Sequence, residues 1–342
     1  MFNRILVPLD GSTLAERAIP HAELFARIFH SDIILLQVLD PAYSQADSNA
    51  CDPLRWQIIK TEADIYLQGI TSQIRKNLGE KSLINKENET NRVDYCIREG
   101  RIAENIVDFA HSENIDLIII STHGAGGFSR WNINSITQKV VSMIYLPILI
   151  VRSYDLPQII EPIIQYNRIM LPIDGSRRAE WAMSIGAELA KRDISTNDLP
   201  INPDEKPRIL ILTVIRPPEF PIPEPVPVEI SQLSEQLVNI CYDAVNKYLS
   251  ELKDRLPVAC ETRIVESSSI VSAIHDQAEQ ENIDLVVFCA HGYSGQFTYP
   301  YGSISRNYLE NGSKSVLIIQ DTPLSQVKPS LAQIAAEKSG RR

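Results

Sequence analysis

Two stretches decide the reading: Glu113-Asn-Ile-Asp-Leu-Ile-Ile-Ile-Ser-Thr-His-Gly124 and Glu281-Asn-Ile-Asp-Leu-Val-Val-Phe-Cys-Ala-His-Gly292. They are near copies, 168 residues apart. A second matched pair opens each half, Ile5-Leu-Val-Pro-Leu-Asp10-Gly-Ser12 and Met170-Leu-Pro-Ile-Asp174-Gly-Ser176. The chain therefore reads as one domain repeated in tandem, and a single fold has to account for both copies. The 342 residues agree with two domains at the usual size of about 150 residues each.

On either side of these stretches, short apolar runs alternate with helical periodicity. Strands are expected at Arg4–Leu9, Asp32–Leu39, Arg92–Arg98, Leu117–Ser121 and Leu146–Val151. Their counterparts are Arg168–Ile173, Arg208–Val214, Ala259–Val265, Leu285–Cys289 and Ser315–Ile319. Leu117–Ser121 is apolar without alternation, as a parallel strand covered on both faces should be. Helices are expected at Thr13–Phe29, with Thr13-x-x-Glu16 as a capping box, and at Leu54–Leu78, Ile102–Ser112 and Ser135–Ile144. Alternating strands and helices imply right-handed βαβ units. The fold class is thus α/β: two tandem doubly wound domains, each a five-stranded parallel sheet flanked by helices. The expected division is 1–152, a linker at 153–166, 167–321, and a flexible tail at 322–342.

Composition narrows the function. A net charge of −10 argues against a general nucleic-acid binder, which needs a basic surface. A small anion held by backbone amides remains compatible with it. Five cysteines without a C-x-x-C pair read as reduced thiols rather than a disulfide framework or zinc site. The absence of a signal segment or an apolar run long enough to span a bilayer points to a cytoplasmic protein with no membrane partner. Pro217–Val228 holds six prolines and reads as a rigid extended loop, with a ligand for a partner's aromatic groove as the less favoured alternative.

Ligands of open α/β sheets bind beyond the carboxyl ends of the strands, where strand order reverses. Asp10 and Asp174 end the first strands, and Gly124 and Gly292 follow the fourth. If those strands are neighbours, each Asp faces a glycine-bearing loop that leads to a helix start at Ser135 or Ser303. A helix N-terminus suits a phosphate, glycine lets the backbone approach it, and the Asp can accept from an adenine amino group or ribose hydroxyls. Equally, Asp before Gly-Ser is an ordinary turn residue, Ser135 and Ser303 are good N-caps, and His123 and His291 are more naturally packing residues than catalysts. Val38 and Val214 are core or pocket wall. No P-loop or dinucleotide fingerprint is present.

These residues resemble the universal stress protein family in its tandem form, over roughly 1–152 and 167–320. That family's nucleotide loop is G-x-x-G, nine residues, then G-[ST]. The second half has Cys289-Ala-His-Gly292, then Tyr293 to Tyr301, then Gly302-Ser303. The first has Ser121-Thr-His-Gly124, then Ala125 to Ile133, then Asn134-Ser135. The resemblance implies ATP or AMP, with or without Mg²⁺, at Asp174, Val214, Gly292, Gly302 and Ser303, with Cys289 in place of a glycine. The corresponding positions of the first half are Asp10, Val38, Gly124, Asn134 and Ser135. Asn134 replaces a glycine in a turn whose left-handed conformation asparagine tolerates better than most residues. The second half is therefore the better candidate site. Nothing assigns a metal site or a catalytic residue: the expected role is a sensor or regulator, with a nucleotide-independent interaction protein and a slow ATP hydrolase as alternatives. The family also implies association through the fifth strands, here internal to one chain as a pseudo-dimer, with homo-oligomers through another surface.

Overall fold

The computed structural model describes residues 2–41, 53–79, 91–122, 135–152, 164–191, 208–220, 225–292 and 299–321. The chain divides into two compact units, one built mainly on Met1–Ile164 and the other on Gln165–Gly295 and Gly302–Ile319.

In the first unit the order is β1 (Arg4–Leu9), α1 (Thr13–Glu16), α2 (Ala18–Phe29), β2 (Asp32–Leu39), α3 (Pro53–Gly79), β3 (Val93–Glu99), α4 (Ile102–Ser112), β4 (Leu117–Ser121), α5 (Ser135–Met143) and β5 (Ile148–Val151). The second repeats it with β6 (Ile169–Pro172), α6 (Trp181–Ala190), β7 (Ile209–Ile215), α7 (Val228–Arg255), β8 (Cys260–Glu266), α8 (Ile270–Gln280), β9 (Leu285–Cys289), α9 (Ser303–Asn311) and β10 (Ser315–Ile319). The strand order is β3-β2-β1-β4-β5 in one unit and β8-β7-β6-β9-β10 in the other, and within each unit neighbouring strands run parallel. The strand order reverses between the first and fourth strands of each unit. β4 and β9 are buried at every position, whereas β3 and β8 are buried only at their first residue, as sheet-edge strands are.

The repeated stretch builds the same piece twice. Asn114 and Asn282 take φ of 51° and 50°, the left-handed residue that ends α4 and α8. Ile115 N–H then donates to the Ala110 carbonyl, and Ile283 N–H to Ala278, each at 2.9 Å. Asp116 Oδ2 accepts from the backbone N–H of Asn3 and Arg4 at 2.8 and 3.0 Å. Asp284 Oδ2 does the same for Asn167 and Arg168 at 2.8 and 2.9 Å. Each aspartate thereby pins the first strand to the fourth at their amino ends.

Some boundaries differ from expectation. The helix expected over Thr13–Phe29 is broken at Arg17, because Pro20 has no N–H to donate to Glu16 and its ring crowds that carbonyl. Its cap is Ser12, whose hydroxyl accepts from Ala15 N–H at 3.1 Å, not Thr13. β5 starts at Ile148 rather than Leu146, past Pro147, which cannot donate to a ladder.

Candidate functional site at the carboxyl ends of the strands

β1 pairs with β4 at only Ile5↔Leu117 and Leu6↔Ile118, and β6 with β9 at only Ile169↔Leu285 and Met170↔Val286. The carbonyls of Arg4 and Arg168 accept from Asp116 and Asp284, so even-numbered residues of β1 and β6 turn towards the fourth strand. Pro8 and Pro172 are the next such residues with a bond to make, and each lacks the N–H. The ladder stops there and the strands part, which opens a crevice in each unit where the order reverses.

At its mouth the two units carry the same turn. Asp10 Oδ1 accepts from Ser12 N–H at 3.0 Å and from Ser12 Oγ–H at 2.6 Å. Asp174 Oδ1 accepts from Ser176 N–H at 3.0 Å and Ser176 Oγ–H at 2.6 Å. Ser176 Oγ in turn accepts from Ala179 N–H at 3.2 Å. Gly11 and Gly175, at φ of 82° and 80°, supply the left-handed step this turn needs. The turn reading of these aspartates therefore holds for one carboxylate oxygen.

The other oxygen of Asp174 faces the fourth strand. A β-carbon on Gly292 would stand 2.1 Å from Asp174 Oδ2, so this contact is open only to glycine. The sequence-predicted pair is brought together. Val214 is half-buried in a strand that is otherwise wholly buried, and Val38 is half-buried near the end of β2. Cys289 is buried at the end of β9, and His291 is buried beside Gly302. The described cysteines Cys96, Cys241, Cys260 and Cys289 form no disulfide.

Past the loop, Gly302 N–H donates to the Ala290 carbonyl at 2.8 Å, and Ser305 Oγ–H donates to the same oxygen at 2.7 Å. These bonds hold the start of α9 against the end of β9. Two expectations are corrected here. Gly302, not Ser303, is the N-cap of α9, and no side chain caps the helix; Ser303 is its exposed first residue. Gly302 has φ −67°, an ordinary value, so its glycine serves a close approach rather than a left-handed turn. A β-carbon there would meet the Ala290 oxygen at 3.1 Å. In the first unit Ser135 is likewise the first residue of α5, and Thr137 Oγ1–H donates to the Ser121 carbonyl at 3.2 Å. His123, Gly124 and Asn134 lie outside the described residues.

Sequence reasoning missed a second layer supplied by the long helices. Tyr248 of α7 donates to Glu180 Oε1 at 3.0 Å, and Arg255 Nη2 to Glu180 Oε2 at 2.7 Å. Glu180 closes the segment that Asp174 opens, so α7 is tied to the crevice turn. Burial, then Glu180, and more weakly Asp174 raise the Tyr248 phenol well above its ordinary pKa. Tyr66 of α3 is raised in the same way by burial and by Glu16 and Asp10. No local pattern marks a tyrosine for this role; the signal is its recurrence at matching places in the two repeats. Among the described residues no group of three or more His, Cys, Asp or Glu is placed to hold a metal ion.

A sequence model of the universal stress protein family matches residues 1–152 and 203–320. Its second match omits β6 and the Asp174 turn, which the fold nevertheless supplies. A universal stress protein of Methanocaldococcus jannaschii is 25% identical over 159 residues, covering 44% of this chain and 96% of that relative. One from Thermus aquaticus is 27% identical over 152 residues, covering 44% of this chain and all of the relative (100%). A crystal structure of a putative universal stress protein from Pseudomonas aeruginosa matches the fold with a TM-score of 0.61 at 15% identity, covering 93% of each chain.

Proposed function

The chain belongs to the universal stress protein family, and on that footing we propose that its second unit binds an adenine nucleotide, ATP or AMP, as a sensor or regulator in a stress response. The observation that carries the reading is the approach of Gly292 to Asp174 Oδ2 at the parting of β6 and β9. A carboxylate in that place accepts from ribose hydroxyls or an adenine amino group. The half-buried Val214 offers an apolar wall for the base. The backbone N–H groups at Ser303 and beyond, which no side chain caps, suit the phosphates. A Mg²⁺ ion would come with those phosphates, since among the described residues no group of three or more His, Cys, Asp or Glu is placed to hold one. Cys289 is buried at the strand end, which leaves the crevice to its neighbours.

The role is binding rather than turnover. Ser305, the buried hydroxyl behind the loop, is committed to the Ala290 and Gly302 carbonyls, the latter at 3.1 Å. Efficient phosphoryl transfer needs a group to orient the attacking water, and Gly302 has no side chain to serve as one. The first unit keeps the Asp10 turn and is proposed to bind more weakly, with asparagine at position 134.

Mass spectrometry of small molecules released by denaturing the purified chain tests the identity of the ligand. Calorimetry of Asp174→Asn tests the site: asparagine keeps an acceptor for Ser176 but loses the charge and one acceptor. Nucleotide affinity should fall about tenfold or more (about 1.4 kcal/mol) while the ligand-free melting temperature barely moves. Unchanged affinity would favour the nucleotide-independent reading. Turnover well above about 1 s⁻¹ would favour the hydrolase.

A further inference from the structure

The proline-rich segment before α7 has a part in the structure that its composition did not show. Pro218, Phe220 and Val226 of that segment, together with the amino half of α7, wall a groove of about 490 Å³, inside the range of roughly 300–1,000 Å³ typical of small-molecule sites. Phe220 and Val226 come from the proline-rich side, Ile230 and Val238 from α7. Two carboxylates also line it, Glu235 from α7 and Glu266 from the end of β8.

The charge balance of the groove is one-sided. Among the described residues no lysine, arginine or histidine lines it. Neither Glu235 nor Glu266 joins an ion pair among the described residues, whereas nearby Glu219 pairs with Arg216 at 3.3 Å and Glu261 with Arg263 at 2.7 Å. The chain's net charge of −10 further disfavours an anion there. Phe220 is 42% exposed, and an aromatic face attracts a cation as well as hydrocarbon. Pro218 has its φ fixed by its ring, so that part of the wall needs little ordering when a ligand enters. The volume suits a small molecule, whereas a stable protein partner needs about 800 Å² of surface per side.

We propose that this groove binds a small organic cation with an apolar body, an alkyl- or arylammonium, its nitrogen between Glu235 and Glu266 and its hydrocarbon against Phe220, Val226, Ile230 and Val238.

The test is calorimetry of the full chain at low salt with 4-phenylbutylammonium, 4-phenylbutanol and 4-phenylbutyrate. The ammonium should bind at least tenfold more tightly than the alcohol, and the carboxylate more weakly than either. The double variant Glu235→Gln/Glu266→Gln should bring the ammonium to the level of the alcohol. Phe220→Ala should weaken ammonium and alcohol alike, by about fivefold or more. Both carboxylates are at the surface, so the melting temperature checks that each variant remains folded. Equal binding of ammonium and alcohol, or a double variant that binds like the parent, overturns the assignment. A lysine-rich peptide that binds where the ammonium does not overturns it in favour of a protein partner.

Discussion

Gly302 donates its N–H to the Ala290 carbonyl at 2.8 Å, while a β-carbon on Gly302 would lie 3.1 Å from that same oxygen. Gly302→Asn copies the first repeat. Because φ is ordinary, the variant should fold with a loss of no more than about 1 kcal/mol, the lower end of overpacking costs. ATP affinity should fall several-fold and adenosine affinity hardly at all, since the change touches the phosphate end. Calorimetry with both ligands reads this; a parallel loss for adenosine would place the effect elsewhere.

Gly292→Ala sets a methyl group against Asp174 Oδ2. The aspartate sits at an exposed turn, so it should yield before the sheet does. The expected result is about a tenfold loss of nucleotide affinity with a melting temperature lowered by only a few degrees. A protein that melts far earlier while still binding would show that the contact serves the fold instead.

Glu180→Ala removes the acceptor for both Tyr248 and Arg255. Arg255 is well exposed, so its pair adds little, and the tyrosine bond dominates. A stability loss of about 1 kcal/mol is expected, together with weaker nucleotide binding, because the Asp174–Glu180 segment loses its tie to α7. Chemical denaturation and calorimetry on one preparation separate the two effects.

His21 is buried in α2, and burial lowers its pKa from the ordinary 6.5 to about 3. Between those values the unfolded chain takes up a proton that the native state refuses, so stability falls as pH drops below 6.5. From pH 7.5 to 5.5 this one residue should cost about 1.4 kcal/mol. Burial also lowers the pKa of His111, which acts in the same direction. Urea titrations at the two pH values should show a smaller difference in His21→Met than in the parent; an equal difference would rule the residue out as the source.

The fold was legible because the repeat gave every strand twice and because β4 and β9, buried on both faces, carry unbroken apolar runs. The clamp of Asp116 and Asp284 lies in the very stretch that reveals the repeat. Only the partner of that clamp, a backbone more than a hundred residues away, is absent from the local pattern. The break at Arg17 was foreseeable from Pro20. The dihedral of Gly302 was not: glycine is used for close approach as well as for positive φ, and sequence alone does not say which. Tyr66, Tyr248 and Glu180 were out of reach for a similar reason: Tyr248 reaches Glu180, and Tyr66 comes beside Glu16, only through packing of the long helices α7 and α3 on the second and third strands of their own units.

The amino-end clamp also has a mechanical meaning. Asp116 and Asp284 fix the first and fourth strands at one end, and Pro8 and Pro172 release them at the other. Each pair is thus a peg with a stiff spring and open jaws. Asp174 Oδ2 already stands against Gly292, so a molecule that entered between them would spread the jaws about a fixed pivot. The displacement would be greatest at the starts of α6 and α9 and would vanish along the opposite edge of the sheet.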